Sequence, residues 1–176
     1  MNYLDRYKIS FGGLAKGESE FEFEIDDKFF EQFENSPVKN GFMDVLVTVN
    51  KQETMLLVDF TLEGEVNTLC DRCGDSLTLD LTGYNELTVK FGVEPGEESE
   101  DVIVISSKEH ELNVAQFIYE YVCLLIPMRN VHDENEAGTT ACNIETLKTL
   151  DKFIHHEDEI KETDPRWEML KKINLN

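Results

Sequence analysis

Basic side chains are scarce in this chain of 176 residues, where 16 lysines and arginines stand against 37 aspartates and glutamates for a formal charge of −21. A field of that sign repels phosphate backbones and attracts basic proteins, so unaided binding to nucleic acid is disfavoured. An acidic surface also serves solubility alone, and the charge therefore constrains partners without naming one. Long apolar runs are missing too: none approaches the roughly 20 residues that span a bilayer. The start, Met1-Asn2-Tyr3-Leu4-Asp5-Arg6, lacks the basic head and apolar stretch of a signal peptide. The expected location is the cytoplasm, with no membrane partner. No phosphate-cradling loop is present, because Gly12-Gly13 runs into Leu14-Ala15-Lys16-Gly17 without the spacing or preceding strand of a P-loop. No serine shares a recognisable motif with a histidine and an acid. Neither a catalytic residue nor a small-molecule substrate is implied.

What is present suffices for one domain. Hydrophobic residues make up 40% and include 11 phenylalanines, which predicts an aromatic-rich core. Phe21-Glu22-Phe23-Glu24-Ile25 alternates as a half-buried strand does. Asp26-Asp27 then suits a helix cap before Phe29, Phe30 and Phe33. Residues 43–49 and 55–62 read as a hairpin, and Leu77 to Leu81 and Leu87 to Phe91 as further strands. Gly92 to Asp101, with Pro95, Gly96 and five acids, reads as an exposed loop before the strand Val102 to Ile105. Asn113 is expected to cap a helix on which Val114, Phe117, Ile118, Tyr121, Val122 and Leu125 recur until Pro127 stops it. Cys123 lies within this apolar helix as core. Beyond Met128 charge accumulates, with short helices expected at 144–153 and after Asp164-Pro165. The expected fold is α+β: a largely antiparallel, barrel-like sheet with one amphipathic helix packed on it. Its core covers residues 1–128, and residues 129–176 form an acidic C-terminal tail.

Chemistry concentrates at Cys70-Asp71-Arg72-Cys73 followed by Gly74, the form of a knuckle whose tight turn aims two thiolates at one cation. Structural zinc needs four ligands, and His132 with Cys142 is the other pair of soft donors in a loop-rich stretch. The four would make a Cys3His site that staples the tail to the sheet. Against it, the nine residues between His132 and Cys142 exceed the usual three to five. Plain thiols and a redox pair at Cys70 and Cys73 stay open, although a redox cysteine prefers a helix N-terminus and both flanks here are strands. His155-His156 beside Glu157-Asp158-Glu159 suits a solvated surface, since adjacent residues on a helix point apart.

Taken in order, several segments resemble the YceD-like family, the bacterial large ribosomal RNA subunit accumulation proteins. They are Cys70-Asp71-Arg72-Cys73 between strands, the acidic loop, the helix from Leu112-Asn113-Val114 to Leu125, Ile126-Pro127 leading to His132 and Cys142, and Asp164-Pro165-Arg166-Trp167 with Leu170. The chain departs from that pattern at Asn130, where many members have a second proline, and in the extended stretch between His132 and Cys142. The resemblance implies a role in accumulating large-subunit (23S) ribosomal RNA, hence in ribosome assembly, and supplies no catalytic residue. With a charge of −21, the expected partner is a basic ribosomal protein or assembly factor, with pre-ribosomal RNA met only inside a complex. Arg72 is a candidate contact to that partner and equally a candidate surface ion pair. Two rivals stand beside this reading: a thiol enzyme using Cys70 and Cys73, and an acidic adaptor for an unrelated basic protein.

Overall fold

Alternation of apolar and polar residues builds most of the molecule. In the computed structural model, residues 3–93, 95–99, 101–134 and 140–153 are described. Six strands form one sheet: β2 Gly17–Ile25, β3 Asn40–Lys51, β4 Met55–Leu69, β5 Ser76–Gly92, β6 Gly96–Ser99 and β7 Val102–Ser106, in the order β2-β3-β4-β5-β7-β6. Pairing is antiparallel except between β5 and β7. A separate two-stranded sheet joins β1 Lys8–Ser10 to β8 Glu111–Asn113.

One face of the large sheet carries Val45, Val47 and Val49 of β3, Leu56, Val58, Phe60 and Leu62 of β4, and Leu87 and Val89 of β5, all fully buried. The helix α2, Ala115–Leu125, packs here, as its periodicity predicts. Tyr121 meets Phe60 edge-on at 5.1 Å between ring centroids. Tyr119 stacks on Phe33 at 3.8 Å. Gly83 lets the helix close on β5, because a Cβ there would stand 2.7 Å from Leu125 Cδ1. The short helix α1, Asp27–Phe30, is capped by Asp26, whose Oδ1 accepts from the Phe29 N–H at 3.2 Å. Its Phe29 and Phe30 are buried in the same core. The 3-10 turn Tyr3–Tyr7 adds Tyr7, whose hydroxyl donates to the Glu24 carbonyl at 3.1 Å.

The α+β class and the antiparallel bias match expectation, with five differences. The sheet does not close into a barrel: it ends at β2 on one side and β6 on the other, while the strand that precedes β2 is occupied with β8. Gly92 to Asp101 is not all loop, since β6 pairs with β7 through its backbone, and an edge strand needs no apolar side chains to do so. Leu77 to Leu81 and Leu87 to Phe91 are one continuous strand, because Tyr84-Asn85-Glu86 stays in register with Thr61, Phe60 and Asp59. Asn113 lies one position before the N-cap Val114, yet its Oδ1 accepts from the Ala115 N–H at 3.0 Å and so serves the helix start. Cys123 is half-buried rather than deep core, and burial raises its thiol pKa. The helix α3, Ile144–Asp151, forms where expected. The helix expected after Asp164-Pro165, and His155-His156, lie outside the described residues.

Gly64 of β4 pairs with Met43 of β3 so closely that a Cβ would stand 2.6 Å from the Met43 Cα. That neighbour is backbone within the ladder and has nowhere to go. Gly64→Val is expected to destabilise the fold by about 3 kcal/mol, which thermal unfolding would register as a Tm drop of roughly 6–12 °C.

Candidate metal centre

The hairpin of β4 and β5 outruns the main core, and its tip is the cysteine turn. The ladder ends at Leu69 opposite Ser76. The six residues between them close through the Cys70 N–H to the Asp75 carbonyl and the Gly74 N–H to the Cys70 carbonyl, both at 2.8 Å. Gly74 takes φ +78, a left-handed backbone that glycine adopts at little cost. The turn therefore aims Cys70 and Cys73 to the same side.

Residues 130–134 and 140–142 return to this tip. The Asp71 N–H donates to the Asn130 carbonyl at 2.7 Å, and the Asn130 N–H donates to Asp71 Oδ2 at 2.6 Å. This reciprocal pair sets His132 beside the cysteines. An isolated antiparallel bridge then joins Glu134 to Thr140, so the chain folds back on itself and delivers Cys142 to the same spot. The nine-residue gap is thereby no obstacle, because the bridge pairs Glu134 near its start with Thr140 near its end. Arg72 reinforces the arrangement through Nη1 to Glu134 Oε1 at 3.0 Å.

All four predicted ligands converge. Their donor atoms lie within 4.8 Å of one another. Cys70 Sγ is 3.8 Å from Cys142 Sγ, and His132 Nδ1 is 3.6 Å from the Sγ atoms of both Cys73 and Cys142. A tetrahedron with zinc–sulfur bonds of about 2.3 Å and a zinc–nitrogen bond of about 2.05 Å has edges of about 3.8 Å between sulfurs and about 3.6 Å from sulfur to nitrogen. The fit extends to the histidine tautomer. His132 Nε2 is 3.0 Å from the Ser76 carbonyl, which can only accept, so Nε2 carries the proton and Nδ1 turns its lone pair to the sulfurs.

The electrostatics favour thiolate. Burial pushes the Cys70 thiol up, but the backbone N–H groups of Cys73, His132 and Arg72 oppose it and hold the pKa at about 6. His132 is shifted upward, first by its bond to the Ser76 carbonyl, with burial opposing and Cys70 and Cys73 adding to the rise. Cys70, Cys73 and Cys142 are buried together with Leu77, Val131 and Leu147 at their margin, a small cluster apart from the main core. A set of three thiols and one imidazole can hold a metal ion and is compatible with zinc. Both flanks of the cysteine turn are strands, and Cys70 is only 2% exposed, so a substrate disulfide has poor access to it.

Residues 58–174 match the model of the family described as large ribosomal RNA subunit accumulation protein YceD. The chain belongs to that family. No curated protein and no solved structure matches it. The match begins within β4 and takes in the cysteine turn, α2 and the segment bearing His132 and Cys142. Sequence reasoning singled out these four residues, which the fold brings together, and missed what orients them. A backbone carbonyl at Ser76 leaves no mark in a sequence, whereas the opposite charges of Arg72 and Glu134 were a signal available for pairing.

Among the described residues, this cluster and the hydrogen bonds around it hold the segment after residue 129 to the hairpin tip. α3 buries no residue completely, and Leu147 is its contact with the cysteines. Protein purified without chelator is expected to carry one zinc per chain by elemental analysis. Chelation or Cys142→Ser should expose residues 129–153 to limited proteolysis while far-UV circular dichroism keeps the sheet signal. A sheet lost together with the tail would mean that the centre supports the whole fold.

Proposed function

We propose that this chain is a noncatalytic ribosome-assembly factor that supports accumulation of large-subunit ribosomal RNA by binding a basic ribosomal protein or assembly partner. Membership of the accumulation family carries this reading. The charge of −21 supports a basic protein as the direct contact, because bare RNA would be repelled over the several-ångström range on which surface fields act. Pre-ribosomal RNA is met within the complex.

One structural zinc, held by Cys70, Cys73, His132 and Cys142, completes the reading. Four protein donors leave no position for water or substrate, which is the arrangement of structural rather than catalytic zinc. It joins the core, residues 1–128, to the C-terminal part, residues 129–176. Arg72 braces that junction through Glu134, and the rest of its guanidinium can meet a partner at the hairpin tip.

The thiol-enzyme reading draws on the lowered pKa of Cys70. It requires a reversible Cys70–Cys73 disulfide, whereas the assembly reading requires thiols released only by chelator or unfolding. The deciding experiment is gradient sedimentation of cell extract with the tagged full-length chain. Co-migration with large-subunit precursors and loss of mature 23S RNA on depletion are the expected outcomes; a chain that stays at the top of the gradient, with normal 23S RNA on depletion, would reject the assembly role.

A further inference from the structure

The second face of the large sheet has no helix or strand laid over it among the described residues, and its side chains alternate in kind from row to row. One row sets Glu24 opposite Asp44 and Asp44 opposite Glu63. A neighbouring row places Phe42 beside Glu65, which in turn faces Asp80. On the other side runs Glu22, Leu46, Thr61 and Tyr84, and beyond it Asp59 faces Glu86. Phe42 and Tyr84 are 53% and 58% exposed. Along β2 to β5 this face carries one base, Lys90, at its far end, and at the β2 edge Arg6 of the 3-10 turn lines a cavity with Glu22, Glu24, Asp44 and Leu46. The ion pairs Lys8–Asp5, Lys16–Glu53 and Arg72–Glu134 lie elsewhere.

Directly opposed like charges destabilise a sheet, since their Cβ atoms stand only about 4.5–5.5 Å apart. Solubility does not require that placement: the same carboxylates at staggered positions would solubilise the chain without mutual repulsion. A cation bridging two facing strands turns the repulsion into attraction. Guanidinium suits the spacing best, because its planar fork engages carboxylates in pairs and its face stacks on an aromatic ring. Phe42 and Tyr84 offer such rings beside the carboxylate rows. Tyr84 stays neutral there, its hydroxyl donating to Glu86 at 3.0 Å, and that bond, with burial and Asp59 adding to it, holds its pKa up at about 12.

We infer that this open face of β2 to β5 docks an extended, arginine-rich segment of a protein partner, with guanidinium groups between the opposed carboxylates and against Phe42 and Tyr84. The inference rests on the proposed basic partner and says where and by what chemistry it is held. Charge complementarity selects the occupant, and the aromatic rows select arginine over lysine.

The test uses the full chain and a fluorescent synthetic peptide alternating arginine and serine, followed by anisotropy. Glu24→Gln with Asp44→Asn and Glu63→Gln should weaken binding roughly tenfold while Tm stays level or rises. A control carrying Glu31→Gln, Glu109→Gln and Glu145→Gln, which removes the same charge elsewhere, should change affinity by less than about twofold. Equal weakening by both variants, or undiminished binding by the first, would overturn the face; a matching lysine peptide that binds as tightly would overturn the choice of arginine. Co-sedimentation of the face variant with large-subunit precursors separates the two proposals. If peptide binding fails to depend on the face but the chain still co-sediments, only the docking site is lost, whereas face-dependent peptide binding without co-sedimentation removes only the ribosomal assignment.

Discussion

The antiparallel ladder between β4 and β5 is the constraint on which the other parts depend. It runs in unbroken register from Met55 and Lys90 to Leu69 and Ser76. One end supplies Leu56, Val58, Phe60, Leu87 and Val89 to the main core; the other carries the cysteine turn away from it. Because side chains alternate strictly along a strand, the same ladder that buries Phe60 must turn Asp59 and Thr61 outward, and a one-residue slip would put carboxylates into the core. Register thus fixes the core, the acidic face and the position of the knuckle together.

The two ends are stabilised by different physics. Around Phe60 and Tyr121 the force is apolar burial, worth roughly 25 cal/mol for each square ångström removed from water. At the tip, residues 130–134 and 140–141 bury little, and polar pairing carries the load: Asp71 with Asn130 in both directions, Arg72 with Glu134, and His132 with Ser76. Three thiols brought together without a cation would be poor glue, since each is only a weak donor and acceptor. A metal held there would change that balance by binding the folded arrangement more tightly than the unfolded chain, so that the difference in binding free energy would become stability of the junction.

How far the sequence reveals this follows from which interactions are local. Strands with one buried face are visible as alternation, which is why Phe21 to Ile25 and the hairpin of β3 and β4 were legible. The α2 stripe was legible for the same reason at helical period. What escaped depends on pairing at a distance: β6 has little apolar pattern and exists because β7 offers an edge, β1 exists because β8 does, and an open sheet differs from a closed one only in where its two edges lie. The four donors were legible through their chemistry, as soft ligands are few in a chain with four cysteines and four histidines. Their convergence was not, because it depends on the Glu134–Thr140 bridge and on the Asn130 contact, neither of which has a sequence signature.

The acidic face and the knuckle are close neighbours along the ladder. Glu65 opposite Asp80 is followed by Asn67 opposite Thr78, joined at 2.7 Å through the Thr78 hydroxyl, and then by Leu69 opposite Ser76, whose carbonyl meets His132. A hairpin tip that frays would blur the spacing of the carboxylates nearest to it, and a partner would then have to order them on binding. Holding the tip shut beforehand lowers that entropic cost. A metal held by these four residues would therefore couple to the proposed recognition through rigidity: it would require no contact with the partner, only that β4 and β5 stay in register up to their last pair.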